Sequence, residues 1–141
     1  MKVPDFVTDE EALLRLLWNP EGFDENGDLT PQALRREDFS GRSCEGMSVN
    51  RAEYSEPTDL QCIAIGQSER MPDGKVTPYF GRILVHRARL DSLVDVISDK
   101  ENNPEFHALI VSKEKIGKGR QKQIRLHILK QIYDVTPLHL K

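Results

Sequence analysis

Cysteine is almost absent. Cys44 and Cys62 are the only two in 141 residues, and with no C-x-x-C pair they offer neither a disulfide framework nor a close ligand pair to nucleate zinc. No apolar run approaches the roughly 18 residues that span a bilayer, and Met1-Lys2-Val3-Pro4-Asp5 leads into acidic residues without an apolar signal region. These absences point to a reducing, cytoplasmic setting and away from membranes. Excess charge is lacking too. At a formal charge of −3 and a pI near 5.8 the whole molecule has no pull on nucleic acid or anionic lipid, so any such contact must come from a local patch. No internal repeat or low-complexity tract occurs.

What is present suffices for one domain spanning residues 1–141. A chain of this length buries about two-thirds of its unfolded surface, and its 38% hydrophobic content is clustered as a folded protein requires. Thr8-Asp9-Glu10-Glu11 has capping-box spacing, and Ala12, Leu13, Leu16 and Leu17 follow at helical intervals, so a helix is expected up to Asn19-Pro20. A second, short helix is expected from Thr30-Pro31. The alternation in Met47 to Tyr54 predicts a strand with Met47 and Val49 inward and Ser48 and Asn50 on the other face. Residues 60–66 fit either a helix or a strand.

Further along, Tyr79 to Ala88 reads as the central strand and Leu90, Leu93, Val94 and Ile97 as a helix from Arg89 to Ser98. Phe106 to Lys113 reads as another strand, and Gln121 to Tyr133 as the last helix, aligned on Ile124, Ile128 and Ile132. Met71-Pro72-Asp73-Gly74 marks residues 67–78 as a mobile loop, and residues 136–141 read as a tail. The fold class is therefore α+β: a small mixed sheet of three to five strands packed with three to four helices in a single domain.

Chemistry is concentrated late in the chain. Lys113, Lys115, Lys118, Arg120, Lys122, Arg125 and Lys130 stand against Glu114 alone, and Gly117-Lys118-Gly119-Arg120 precedes the last helix, where free N–H groups meet anions. Lys115, Lys118, Gly119, Arg120, Lys122 and Arg125 are thus the candidate ligand-binding residues. The stretch lacks P-loop spacing and interleaved aromatics. The leading expectation is a small intracellular binding or accessory module. It would use this basic loop to contact a protein partner or a phosphate-bearing ligand, with nucleic acid as a further partner class and no cofactor.

The alternative is a small nucleotide- or phosphoester-processing enzyme with His86 and His107, each on a strand, as acid and base, in a cleft shared with Arg15, Ser48 and Arg51. The paired histidines resemble those of the 2H phosphoesterases. That family places Ser or Thr two residues after each histidine, where this chain has Ala88 and Leu109, so its phosphate-binding roles are not carried over. Asp24, Asn26 and Asp28 resemble a calcium loop, but the glycine stands too early, at Gly27, and Arg35 takes the position of the final Glu, so a solvated turn is expected. Cys44, Cys62, His86 and His107 are too widely spaced to predict a metal site, and none is assigned.

Overall fold

The computed structural model describes residues 3–41, 46–68, 77–101 and 103–139. Its architecture is α+β. Six strands form one sheet: β1 (Ala12–Asn19), β2 (Met47–Arg51), β3 (Thr77–Leu84), β4 (Val94–Ser98), β5 (His107–Ser112) and β6 (Tyr133–Pro137). Their order is β4-β5-β2-β1-β3-β6 and every pairing is antiparallel, so among the described residues the sheet is one strand larger than expected and contains no parallel crossover. The helices are α1 (Pro57–Ser68), the single turn α2 (Val85–Ala88) and α3 (Lys118–Gln131), with short 3-10 turns at Pro31–Ala33, Arg36–Phe39 and Ala52–Tyr54.

Residues 12–19 are a strand, not the predicted helix. Leu13 and Leu17 bury on one face of the sheet, while Leu14, Leu16 and Trp18 pack on the other with Leu60 and Ala64 of α1. A strand covered on both faces reads as a continuous apolar run, and such a run also satisfies helical spacing. Half of the capping-box chemistry forms nonetheless: Glu11 Oε2 accepts from the Thr8 N–H at 2.8 Å and from the Thr8 hydroxyl at 3.3 Å, while the Glu11 N–H donates to the Thr8 backbone oxygen at 3.2 Å, closing a turn before β1.

No helix forms over Arg89–Ser98: residues 89–93 are a turn and Val94–Ser98 are β4, with Val94 and Val96 buried on alternate positions and Leu90 exposed. The strand predicted to run to Ala88 stops at Leu84 and turns into α2. Residues 60–66 belong to α1. In place of the helix expected at Pro31, two 3-10 turns form, the first without a side-chain cap from Thr30. The predicted tail is also corrected: Thr136 and Pro137 lie in β6, and Leu138 is buried against α1. Most of the predicted mobile loop 67–78, residues 69–76, lies outside the described residues, while Thr77 and Pro78 open β3.

Two layers flank the sheet. Ile124 and Ile128 of α3 bury with Leu13, Met47, Val49, Ile83, Ala108 and Ile110, forming the main core. Gly81 lies where β3 shifts register against β6, and a Cβ there would come within 2.5 Å of Ile132, so only glycine lets the end of α3 settle this close. On the opposite face α1 covers the β1 and β3 side through Leu60, Ala64 and Leu138 with Leu14, Leu16, Trp18 and Phe80. A cleft is left between α1, β2 and the start of β5.

Candidate active site

The cleft has a volume of about 280 Å³. Leu14, Leu16, Trp18, Leu60, Ile63 and Phe106 form its apolar walls, and Arg15, Ser48, Asn50 and His107 supply polar groups. Strand periodicity brings Leu14, Leu16, Trp18, Ser48 and Asn50 together, whereas Arg15 has the parity of Leu13 and Leu17. Ser48 and Asn50 share a face of β2, Asn50 stands opposite both Leu14 of β1 and His107 of β5, and Ser48 is therefore diagonal to His107.

Ser48 Oγ and His107 Nε2 are hydrogen-bonded. On the far side of the ring, Nδ1 lies 3.0 Å from Asp99 Oδ2 and 3.2 Å from the Asp99 backbone oxygen. A carbonyl oxygen can only accept, so Nδ1 carries the proton and Nε2 is left as the acceptor of the Ser48 hydroxyl. Asp99 is itself held in place. Asn103 Nδ2 donates to its carboxylate at 3.0 Å, and the Asp99 N–H donates to the His107 carbonyl at 3.0 Å. His107 N–H in turn donates to the Pro104 carbonyl at 3.0 Å, so the turn between β4 and β5 fixes the acid and the imidazole together.

Two donors in the cleft walls lack acceptors among the described residues: Asn50 Nδ2, on a side chain only 4% exposed, and Arg15 Nε. Arg15 Nη1 donates to the Ser48 carbonyl at 2.8 Å and ties β1 to β2 where their ladder is short. Burial pushes the Arg15 pKa below its ordinary value, opposed by the Asp38 carboxylate. Arg51 lies deeper. It is fully buried and paired with Glu11 at 2.7 Å, and it donates to the Pro4 and Phe6 carbonyls, so it anchors the N-terminal segment and is not a cleft residue.

His86 does not join this site. It is exposed on α2, and β3, which leads into α2, is separated from β5 by β2 and β1, so His86 and His107 do not face one another. Asp99 carries no sequence signal for this role, because it lies eight residues before its histidine in what reads as a polar loop. Cys62 is exposed on α1, and Cys44 lies outside the described residues. Among the described residues no group of three or more His, Cys, Asp or Glu is placed to hold a metal ion. Asp24 Oδ1 instead accepts from the N–H groups of Asn26 and Asp28, both at 2.9 Å, which makes that stretch a turn.

The residues around the last helix form a polar, basic surface. Lys115, Lys118 and Lys122 are exposed, whereas Arg120 is held by Asp91 at 2.7 Å and Arg89 by Asp9 at 2.7 Å and Asp95 at 3.0 Å. Burial would raise the Asp91 pKa, but the Leu93 N–H and Arg120 outweigh it and keep the carboxyl below its ordinary value. Gly119 and Arg120 lie inside α3, whose N-cap is Gly117, because with Ile116 donating to the Ser40 carbonyl the chain is already anchored before the helix starts. A Cβ at Gly119 would meet nothing within 4 Å, so no close backbone approach requires glycine there. Arg125 is half-buried.

No helix among the described residues is long and apolar enough to cross a membrane. Comparison of the chain with protein-family models, curated proteins and solved structures finds no match.

Proposed function

We propose that the cleft is the active site of a small enzyme using nucleophilic catalysis, with Ser48 as nucleophile, His107 as general base and Asp99 as the group that orients the imidazole. The observation that carries this reading is the hydrogen bond between Ser48 Oγ and His107 Nε2, with Nδ1 on the far side of the ring bonded to the Asp99 backbone oxygen and 3.0 Å from its carboxylate. A serine hydroxyl is a weak nucleophile until a base accepts its proton, and the base must be held in one tautomer to do so. Both conditions are supplied by rigid elements, β2 and β5, and by the turn before β5. This keeps His107 as the base and replaces His86 with Ser48 as its working partner.

A fluorophosphonate probe tests the reading directly. The Ser48 oxygen would bond to phosphorus, fluoride would leave, and His107 would take the hydroxyl proton. Intact-mass and peptide mapping should find one adduct, on Ser48, and none in Ser48→Ala. Absence of an adduct, or one on a different serine, overturns the proposal.

A second reading is favoured by the exposure of Lys115, Lys118 and Lys122 at the start of α3. On that reading this surface meets an acidic protein partner or a phosphate-bearing ligand. Charge reversal at Lys115, Lys118 and Lys122 should then weaken capture of such a partner at least about tenfold at low salt, with the difference shrinking as salt screens the contact. Equal capture by the wild type and the triple variant at every salt concentration removes this reading.

A further inference from the structure

We infer that the cleft takes a small carboxylic ester, with the apolar pocket receiving the acyl chain and Asn50 donating to the oxyanion. This rests on the nucleophilic reading of Ser48 and names its substrate class. Three observations favour an acyl group over a phosphoester. The cleft that holds Ser48 has hydrocarbon walls from Leu14, Leu16, Trp18, Ile63 and Phe106. Among the described residues Arg15 is the one Lys or Arg that lines the cleft, and its Nη1 already donates to the Ser48 carbonyl at 2.8 Å, so a phosphoryl group would have to break that bond to reach its charge. Finally, Asn50 Nδ2 is a buried donor beside His107 without an acceptor among the described residues, and a buried amide left unpaired costs about 1–3 kcal/mol unless a ligand satisfies it.

Attack by Ser48 Oγ on the ester carbon passes the hydroxyl proton to His107 Nε2 and moves the carbonyl π electrons onto oxygen, where Asn50 Nδ2 donates. Collapse breaks the bond to the alcohol oxygen, which leaves with the proton from His107, and the acyl group stays on Ser48. Water then attacks the acyl-serine, giving one proton to His107. That proton returns to Ser48 as the carboxylic acid departs. Ester and water become acid and alcohol, and the protein is unchanged.

The volume sets the chain length. A cleft of about 280 Å³ holds about nine water-sized groups at roughly 30 Å³ each. It lies just under the roughly 300–1,000 Å³ of pockets for drug-sized ligands. An acyl group of about four to eight carbons fits.

The test is a series of p-nitrophenyl esters, from acetate through butyrate and hexanoate to dodecanoate, run beside p-nitrophenyl phosphate. The wild type should hydrolyse butyrate or hexanoate with kcat/KM about tenfold or more above acetate and dodecanoate, and should leave the phosphate intact. Ile63 is only half-buried, so its side chain can be changed with little cost to the core. Ile63→Trp should move the optimum towards acetate and Ile63→Ala towards longer chains. Asn50→Ala should lower kcat about 100-fold with KM little changed. Faster turnover of the phosphate, or a chain-length profile that neither Ile63 variant moves, overturns the assignment. If the fluorophosphonate labels Ser48 but no ester is hydrolysed, the acyl class fails and the nucleophile stands. If Ser48 is neither labelled nor active, both fail.

Discussion

His107→Ala should lower kcat for ester hydrolysis by about 10³-fold or more while the protein stays folded. The imidazole accepts the Ser48 proton, so its removal leaves the hydroxyl without a base, and base catalysis of this kind is worth about 10²–10⁴-fold. His107 is half-buried at the start of β5 and its backbone bonds do not depend on the ring, so its loss should shift the thermal midpoint by only a few degrees. Asp99→Asn discriminates further. The backbone carbonyl still holds the Nδ1 proton, but the imidazolium formed on proton transfer loses the negative charge 3.0 Å away, so kcat should drop while KM changes little. The two changes act on one proton path, so the double variant should be little worse than His107→Ala alone. Kinetics of the two single variants and the double, read beside thermal melts, check this. Turnover in His107→Ala within threefold of wild type would remove the base from the mechanism.

The second large effect is on stability. Arg51 is fully buried, and its partner Glu11 is 5% exposed. Two contacts, 2.7 Å from Nε and 2.8 Å from Nη2, make the pair bidentate. Removing one partner leaves a buried charge without compensation, so Arg51→Met and Glu11→Ala should each cost about 3–5 kcal/mol. Replacing both by apolar residues should recover much of that loss. Urea unfolding of the three variants measures it.

The pair also makes stability depend on pH. Burial would raise the Glu11 pKa, but the Arg51 hydrogen bonds, the Thr8 N–H and the Arg51 charge hold it below its ordinary 4.5. A carboxyl depressed in the folded state stabilises above its unfolded value and loses that contribution as pH falls through the folded one. Wild-type stability should therefore fall from pH 4.5 downwards, with a shallower fall in Glu11→Gln. Equal urea midpoints for wild type and Glu11→Ala at pH 7 would show that the ion pair contributes nothing.

The sequence made the alternating strands legible and hid those whose two faces are both covered. Met47-Ser48-Val49-Asn50 and His107-Ala108-Leu109-Ile110 alternate because one face of each packs on α3 while the other borders the cleft, and for Met47 to Asn50 the inward and outward residues read correctly. Ala12 to Trp18 carries leucines on both faces, which erases the period of two. Leu93, Val94 and Ile97 imitate a helix because β4 follows directly on the turn after α2, and two unrelated local structures share one apolar spacing. At the site, Ser48, Arg15 and His107 could be named from residue type, and Ser48 was expected on the face it occupies. Their assembly was not legible. It depends on β5 lying beside β2, and strand order is a long-range property that no local pattern encodes. The pairing of His86 with His107 failed for the same reason, since it assumed neighbouring strands.

The order of the sheet also sets when the molecule can become competent. β1 and β2 are synthesised early but share only two registered pairs, Leu13 with Arg51 and Leu14 with Asn50. Their stable neighbours come later, Ile83 beside Leu13 and Ala108 beside Val49. A nascent chain emerging from the ribosome thus has no self-sufficient hairpin to settle into, and contacts this distant along the chain place folding among the slower, millisecond-to-second domains. Ser48 leaves the ribosome well before Asp99 and His107, so its hydroxyl gains a base only once the second half of the chain has docked.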